Sequence, residues 1–280
     1  MPPEAGAFTA IILAAQRGGT IDPLAAEAGV SHKCLVPIAG AALIAHVAAA
    51  LVATPGLAEL RIVIEPAMAA AIRAILPPAA VPVRFVPAAD NLADSVHAAA
   101  RGVDRPMVVT TADNVLLSPV AVAAMLHALA EGADVALAMA TKAAVLAAHP
   151  EGQRRFYRFA DDDYSNCNLY AFGGAKAVAA AESFRSGGQF AKKPLRLIAA
   201  IGLVNLALLR FHRVSLTGAA RRLSRRFRLR VAPVVLADGA HAIDVDNRRT
   251  YDAAALLLER RSALDQMIEE VVEERSGQLA

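Results

Sequence analysis

Short, uninterrupted apolar runs alternate with alanine-rich segments of helical period through the first half of the chain, and this alternation constrains the fold more than any other feature. The runs FTAIILAA, LRIVIE, VPVRFVP, PMVVTTAD and ADVALAMA are separated by LIAHVAAALVA, MAAAIRAIL, SVHAAARGV and VAVAAMLHALAEG. Strands that are apolar on both faces and spaced by single helices fit a parallel sheet, because each crossover lays its helix over one face or the other. The expected class is therefore α/β, with a doubly wound, mostly parallel sheet. A chain of 280 residues is long enough to bury a sizeable core in one such domain.

After about residue 150 the pattern changes. The stretch RRFYRFADDDYSNCNLYAF reads as two further strands joined by an acidic turn, with Asp161, Asp162 and Asp163 as a solvated hairpin tip. A helical pair follows in KPLRLIAAIGLVNLALLRF and SLTGAARRLSRRF, with Pro194 at a first-turn position and Ser215 as N-cap. RLRVAPVVL and HAIDVD read as strands returning to the sheet, and Tyr251 to Arg275 as a long amphipathic helix able to lie on the domain or pair with a second copy in a homodimer. With no internal repeat or low-complexity linker, the expectation is a single domain over 1–280, with a helical insert at 187–228 and a C-terminal helix at 250–280.

Composition excludes several classes. A net charge of +3 is too small for a general nucleic-acid binder. Cys34 and Cys167 lie far apart without disulfide or zinc-knuckle spacing, and the seven histidines show no ligand spacing among themselves. The N-terminal MPPEAGAFTAIILAA lacks the basic region of an export signal, and the longest apolar stretch, Leu197 to Leu209, falls below the roughly 18 residues of a spanning helix. A cytoplasmic location is expected.

Doubly wound sheets bind ligands beyond the carboxyl ends of their strands. The first strand runs into a long small-residue loop carrying Gln16, Arg17 and Lys33, and the fourth ends in Thr111, Asp113 and Asn114. Such a loop offers backbone N–H groups and two cations, which suit the phosphates of a nucleotide. Asp113 and Asp246 are the candidate ligands of a magnesium ion, which takes oxygen donors and needs only one or two carboxylates besides substrate phosphates. Asp244, two residues from Asp246, would share its face in an extended strand and is a third ligand or a support for the other two.

Four segments resemble the MobA-like nucleotidyltransferase superfamily, a GT-A-type, Rossmann-like fold. IILAAQRGG…HKCLVPIAGAALIAHV resembles the family's opening strand, its LAAGxGxR loop and its K-x-L-x-P stretch. NLADSVHAA resembles its base and ribose segment, VVTTADNVLLSP its metal strand, and AIDVDNRRTYDAA its closing D-x-D-T-x-x-D element. The resemblance implies transfer of a nucleoside monophosphate from a triphosphate to a phosphorylated acceptor, with Mg2+ as cofactor and release of pyrophosphate. It gives Arg17 and Lys33 the catalytic phosphate-holding roles, and Ala14, Ala15, Gln16, Gly18, Asp94 and Ser95 the nucleotide. Asn166 and Asn168 in the NCNLY strand would contact acceptor or ribose. Gln16 stands where the family usually has glycine, and Asn114-Val115 replaces a proline-containing turn.

CTP is favoured, because IDVDN and LADS look nearest to cytidylyltransferases that activate phosphorylated alcohols, polyols or sugars. Guanylyl or uridylyl transfer, a glycosyltransferase on the same fold, and a catalytically silent nucleotide-binding protein stay open at this point. Between Glu182 and Asp238 there is no acidic residue, while arginines and lysines accumulate. Lys192 and Lys193 in that insert are candidates for the acceptor's phosphate. The same basic surface would suit peripheral association with an anionic membrane.

Overall fold

The computed structural model describes residues 6–16, 21–181 and 212–277. Strand β1 (Phe8–Leu13) leads to helix α1 (Pro23–Glu27), a two-stranded ribbon of β2 (Pro37–Ile38) and β3 (Ala41–Ala42), and helix α2 (Leu43–Val52). Then come β4 (Leu57–Ile64), α3 (Ala69–Ile75), β5 (Val83–Pro87), α4 (Leu92–Ala100), β6 (Met107–Thr111), α5 (Pro119–Ala130), β7 (Val135–Thr141) and α6 (Lys142–Ala148). The second half holds β8 (Tyr157–Arg158), β9 (Asp163–Phe172), α7 (Ala175–Ala181), α8 (Leu216–Phe227), β10 (Val231–Leu236) and the long α9 (Arg248–Gly277).

The main sheet has the order β10-β7-β9-β6-β1-β4-β5, with β8 paired to β9. Only β9 breaks the parallel pattern of this row, running antiparallel between β6 and β7. Side chains along the central strands alternate between two cores, as the period of two requires. Ala10, Ile12, Leu60, Ile62 and Val108 pack with α2, α5 and the start of α9, whereas Ile11, Val63, Met107 and Val109 pack with α4 and α7. Phe8, Ile11 and Ile12 are wholly buried, and each such side chain contributes about 1.5–3 kcal/mol relative to exposure. Covered on both faces, β1 and β6 form a rigid platform whose carboxyl ends open at one edge.

One expected strand is absent. HAIDVD alternates apolar and acidic residues, but it forms a 3-10 turn over Gly239–Ala242 followed by irregular chain. Ile243 and Val245 are fully buried, so the alternation reflects burial without a ladder. Val245 N–H donates to the Asp113 carbonyl (3.1 Å) and Asp246 N–H to the Asp244 carbonyl (2.9 Å). Gly239 fits this segment against α6: a Cβ there would lie 2.2 Å from the Ala144 carbonyl carbon and the Val145 nitrogen. The shared-face argument for Asp244 and Asp246 therefore does not hold.

In the basic region, Ser215 caps α8 by accepting from Gly218 N–H (3.1 Å), and Asp161 of the acidic turn accepts from Leu216 N–H (3.0 Å). The turn thus anchors α8 as well as facing solvent. The remainder of the expected insert, including Lys192 and Lys193, lies outside the described residues.

Candidate active site

Three distant parts of the chain meet at the carboxyl edge of the sheet. Leu13 and Thr111 are register partners, so β1 and β6 end side by side and release Ala14–Gln16 and Ala112–Asp113 together. Backbone bonds fix both exits, from Ala14 N–H to the Val63 carbonyl (2.9 Å) and from Ala112 N–H to the Leu13 carbonyl (3.0 Å). A 3-10 turn at Lys33–Leu35 brings in the lysine. The bond from Val245 to Asp113 ties the third segment to the second.

Lys33 Nζ lies 2.5 Å from Asp113 Oδ2 and 2.9 Å from Asp246 Oδ1. The Lys33 and Asp113 side chains are only 20% and 18% exposed, whereas that of Asp246 is 64% exposed, so a half-enclosed pair faces solvent through its third member. Burial alone would lower the Lys33 pKa, but the charges of Asp113 and Asp246 and their hydrogen bonds outweigh it and hold the ammonium well above the usual lysine range.

Asp244 sits behind this group, buried, with one carboxylate oxygen accepting from Asn168 Nδ2. Burial pushes its pKa well up, and the neighbouring charges of Asp113 and Asp246 push it further, against the opposing effects of Lys33 and Asn168. Three acids thus surround one ammonium.

Asn168 reaches Asp244 because β9 bulges. Leu137 pairs with Tyr170 but Met139 with Asn166, so β9 carries two extra residues at this point. Asn168 takes a left-handed φ of 46° there, a conformation asparagine tolerates better than most residues. Asn166 Nδ2 donates to Asn168 Oδ1 (2.8 Å) and to the Tyr170 hydroxyl (2.7 Å), bracing the bulge.

Asn114 clamps the bulge from the other side. Fully buried, its Nδ2 donates to Thr110 Oγ1 (3.1 Å) and the Cys167 carbonyl (3.1 Å), while Thr110 Oγ1 donates to the Asn168 carbonyl (2.9 Å). The residue that replaces a proline-containing turn is thus a structural pin, a role that sequence reading missed along with the bulge itself.

Gln16 closes the mouth of the loop. Its backbone N–H donates to Glu65 Oε1 (3.0 Å), and its Nε2 donates to the Ser31 carbonyl (2.5 Å). Asp94 and Ser95 lie at the start of α4. Asn91 caps this helix by accepting from Asp94 N–H (3.0 Å) and donates to the Asp94 carboxylate (2.5 Å); buried Ser95 Oγ accepts from Ala89 N–H (3.0 Å). The Ser95 hydroxyl therefore shapes the loop before α4. Arg17 and Gly18 lie outside the described residues. Cys34, next to Lys33, is buried and pushed up to about 12 by burial and by Glu65, which leaves it an unreactive thiol.

Among the described residues, buried side-chain oxygens of Gln16, Thr111, Asp113, Asn114 and Asp244 at this edge lack a hydrogen-bond partner. Such a concentration marks a site built to meet a cation or donors from a ligand. Among the described residues no group of three or more His, Cys, Asp or Glu side chains could hold a metal by itself. A cation here would take its remaining ligands from substrate or water.

The family model for the MobA-like NTP transferase domain matches residues 10–185, which include most of β1, Lys33, Asp113 and the β9 bulge. The chain belongs to this family. No curated protein matches it significantly. Among solved structures, a hypothetical transferase from Thermus thermophilus is 25% identical with a TM-score of 0.73, covering 88% of this chain and 99% of its own. A CMP:2-keto-3-deoxy-manno-octonic acid synthetase complexed with CTP is 14% identical with a TM-score of 0.57, over 91% of this chain and 100% of its own. The 4-diphosphocytidyl-2C-methyl-D-erythritol synthase from Anaerococcus prevotii is 12% identical with a TM-score of 0.58, over 91% and 97%. These last two share the α/β nucleotidyltransferase fold with this MobA-like chain. No helix among its described residues is long and apolar enough to cross a membrane.

Proposed function

We propose that the chain transfers a nucleoside monophosphate, CMP in preference, from the triphosphate to a phosphorylated alcohol, polyol or sugar. An oxygen of the acceptor phosphate attacks the α-phosphorus, the bond to the bridging oxygen of the β-phosphate breaks, and pyrophosphate leaves. The observation that carries this reading is the convergence of Lys33, Asp113 and Asp246 where β1 and β6 end. Both reactants are anions, so the reaction needs alignment and charge neutralisation more than proton transfer.

The orphaned oxygens of Asp113 and Asp244 suit a hard cation. Asp113 and Asp246 would hold magnesium, with Asp244 buried behind them and aimed by Asn168. Bound there, the metal would neutralise phosphate charge and favour in-line geometry. Lys33, held cationic, would be free to grip a phosphate once its carboxylates held a metal. Ala14, Ala15 and Gln16, with Arg17 and Gly18, would lie along the triphosphate; Asp94 and Ser95 position the segment expected at base and ribose. Asn166 and Asn168 border the acceptor side, where Lys192 and Lys193 would add charge. The preference for CTP rests on IDVDN and LADS; the CTP-complexed neighbour agrees in direction but shares only the fold.

Pyrophosphate release on mixing the protein with magnesium, each of CTP, GTP, UTP and ATP, and a panel of phosphorylated alcohols and sugars tests the proposal. Release that needs both an NTP and an acceptor, and that disappears in Asp113→Asn, is expected. No release with any combination would overturn it.

A further inference from the structure

The basic helix α8 and the edge strand β10 enclose a groove of about 430 Å³, lined by Thr217, Arg221, Arg225 and Arg230 over a floor that includes Ala220 and Val231. Arg221 and Arg225 are exposed and one helical turn apart, so their like charges repel. Arg230 lines the groove from the strand side; its guanidinium lies against Gly132, where a Cβ would come within 2.7 Å of Nη1, and its backbone N–H donates to Asp134 Oδ2 (2.7 Å). No carboxylate among the described residues forms an ion pair with any of these three arginines.

The helix dipole accounts for a cation in the last turn, such as Arg225. It does not account for Arg221 in mid-helix, nor for Arg230 beyond the helix end. Ser224 is already used, donating to the Ala220 carbonyl (2.8 Å) and accepting from Val231 N–H (2.9 Å), which fixes β10 against α8 and preforms the groove.

We propose that this groove is a second anion site, separate from the transfer site, and that it binds a phosphate group. The guanidiniums of Arg221 and Arg225 and the Thr217 hydroxyl match phosphate oxygens, which arginine meets through paired N–H donors, and Arg230 adds its charge beside them. The groove volume falls in the range of small-ligand sites. Its place in the fold sets it apart: β10 is three strands from β6, about 14 Å across the sheet. It also lies toward the amino end of β10, which runs parallel to β7, whereas Lys33 and Asp113 sit at the carboxyl edge. The phosphate can be a lipid headgroup or a free polyphosphate.

Both sources can be tested on the full chain. Calorimetric titration with inorganic pyrophosphate at low salt is compared for wild type, Lys33→Met, Arg221→Ser/Arg225→Ser and Arg221→Lys/Arg225→Lys. The same proteins are then sedimented with phosphatidylcholine vesicles with and without phosphatidylglycerol. A free-phosphate site gives wild type two pyrophosphates per chain and the serine pair one, with an intermediate affinity for the lysine pair. A headgroup site gives partition onto the anionic vesicles that falls at least tenfold in the serine pair. The serine pair should keep nucleotidyl transfer within twofold of wild type. A serine pair indistinguishable from wild type in both titration and sedimentation would overturn the site. Because both arms read binding, that failure is distinct from a failure of the transfer activity.

Discussion

Replacing Lys33 with methionine removes the cation that, among the described residues, pairs with Asp113 and Asp246, while keeping most of the side chain's length. Taking one partner from a fully buried ion pair costs about 3–5 kcal/mol, because the other charge stays buried and uncompensated. Here about one-fifth of the Lys33 and Asp113 side chains is exposed and Asp246 is mostly in solvent, so screening reduces the expected loss to about 2 kcal/mol. In a chain of this size that lowers Tm by about 4–8 °C.

The variant also distinguishes a cation-binding acid cluster from an ordinary ion pair. Without the ammonium, the charges of Asp113 and Asp246 are left uncompensated, so millimolar magnesium without nucleotide should restore part of the lost stability. In wild type, where Lys33 occupies the carboxylates, the same addition should change Tm little. Thermal unfolding of both proteins with and without magnesium reads this directly. A methionine variant as stable as wild type, or one stabilised no more than wild type by magnesium, would refute the reasoning.

Two further expectations concern Asn168, which aims Asp244, and the buried His241. Asn168→Gly keeps the left-handed backbone but loses the bond to Asp244, whereas Asn168→Ala loses the bond and adds strain. Urea unfolding should therefore find the alanine variant less stable than the glycine variant by about 1 kcal/mol, and equal stabilities would remove the strain argument. His241 is buried, with Nδ1 2.9 Å from the Leu116 carbonyl and Nε2 3.3 Å from Ser118 Oγ; since a carbonyl only accepts, Nδ1 carries the proton of the neutral ring. Burial, helped by Arg261 and opposed by Asp238, lowers its pKa. The unfolded chain then binds the proton more readily, so the neutral ring's contribution is complete above about pH 6.5 and is lost as pH falls from there through the lowered folded value. Denaturant midpoints should drop more steeply below pH 6.5 for wild type than for His241→Gln; parallel profiles would contradict the assignment.

The sheet was legible because β1, β4, β6 and β7 are buried on both faces, and a doubly covered strand must be apolar at nearly every position. Lys33 and Asp113 were legible because each stands directly after a strand end or within a loop whose composition has no use in a core. The order of β9 between β6 and β7 was not, since an antiparallel insertion leaves no mark on local periodicity. The bulge at Asn168 escaped for a related reason: two extra residues in one strand are visible only against its partner. IDVD misled because alternating burial at Ile243 and Val245 imitates strand period, although its hydrogen bonds go to Asp113 and to itself. Asn114 was read for what it replaces, while its work depends on Thr110 and Cys167, which only the folded chain brings within reach.

The central claim is that a triphosphate lies between the exit of β1 and the acids at Asp113 and Asp246. A crystal structure of the protein with a non-hydrolysable CTP analogue and magnesium tests it most directly. The account expects a metal on Asp113 and Asp246, the phosphates along Ala14–Gln16, and Lys33 turned from its carboxylates to a phosphate oxygen. Nucleotide bound elsewhere on the chain, with the ion pairs of Lys33 intact, would contradict it.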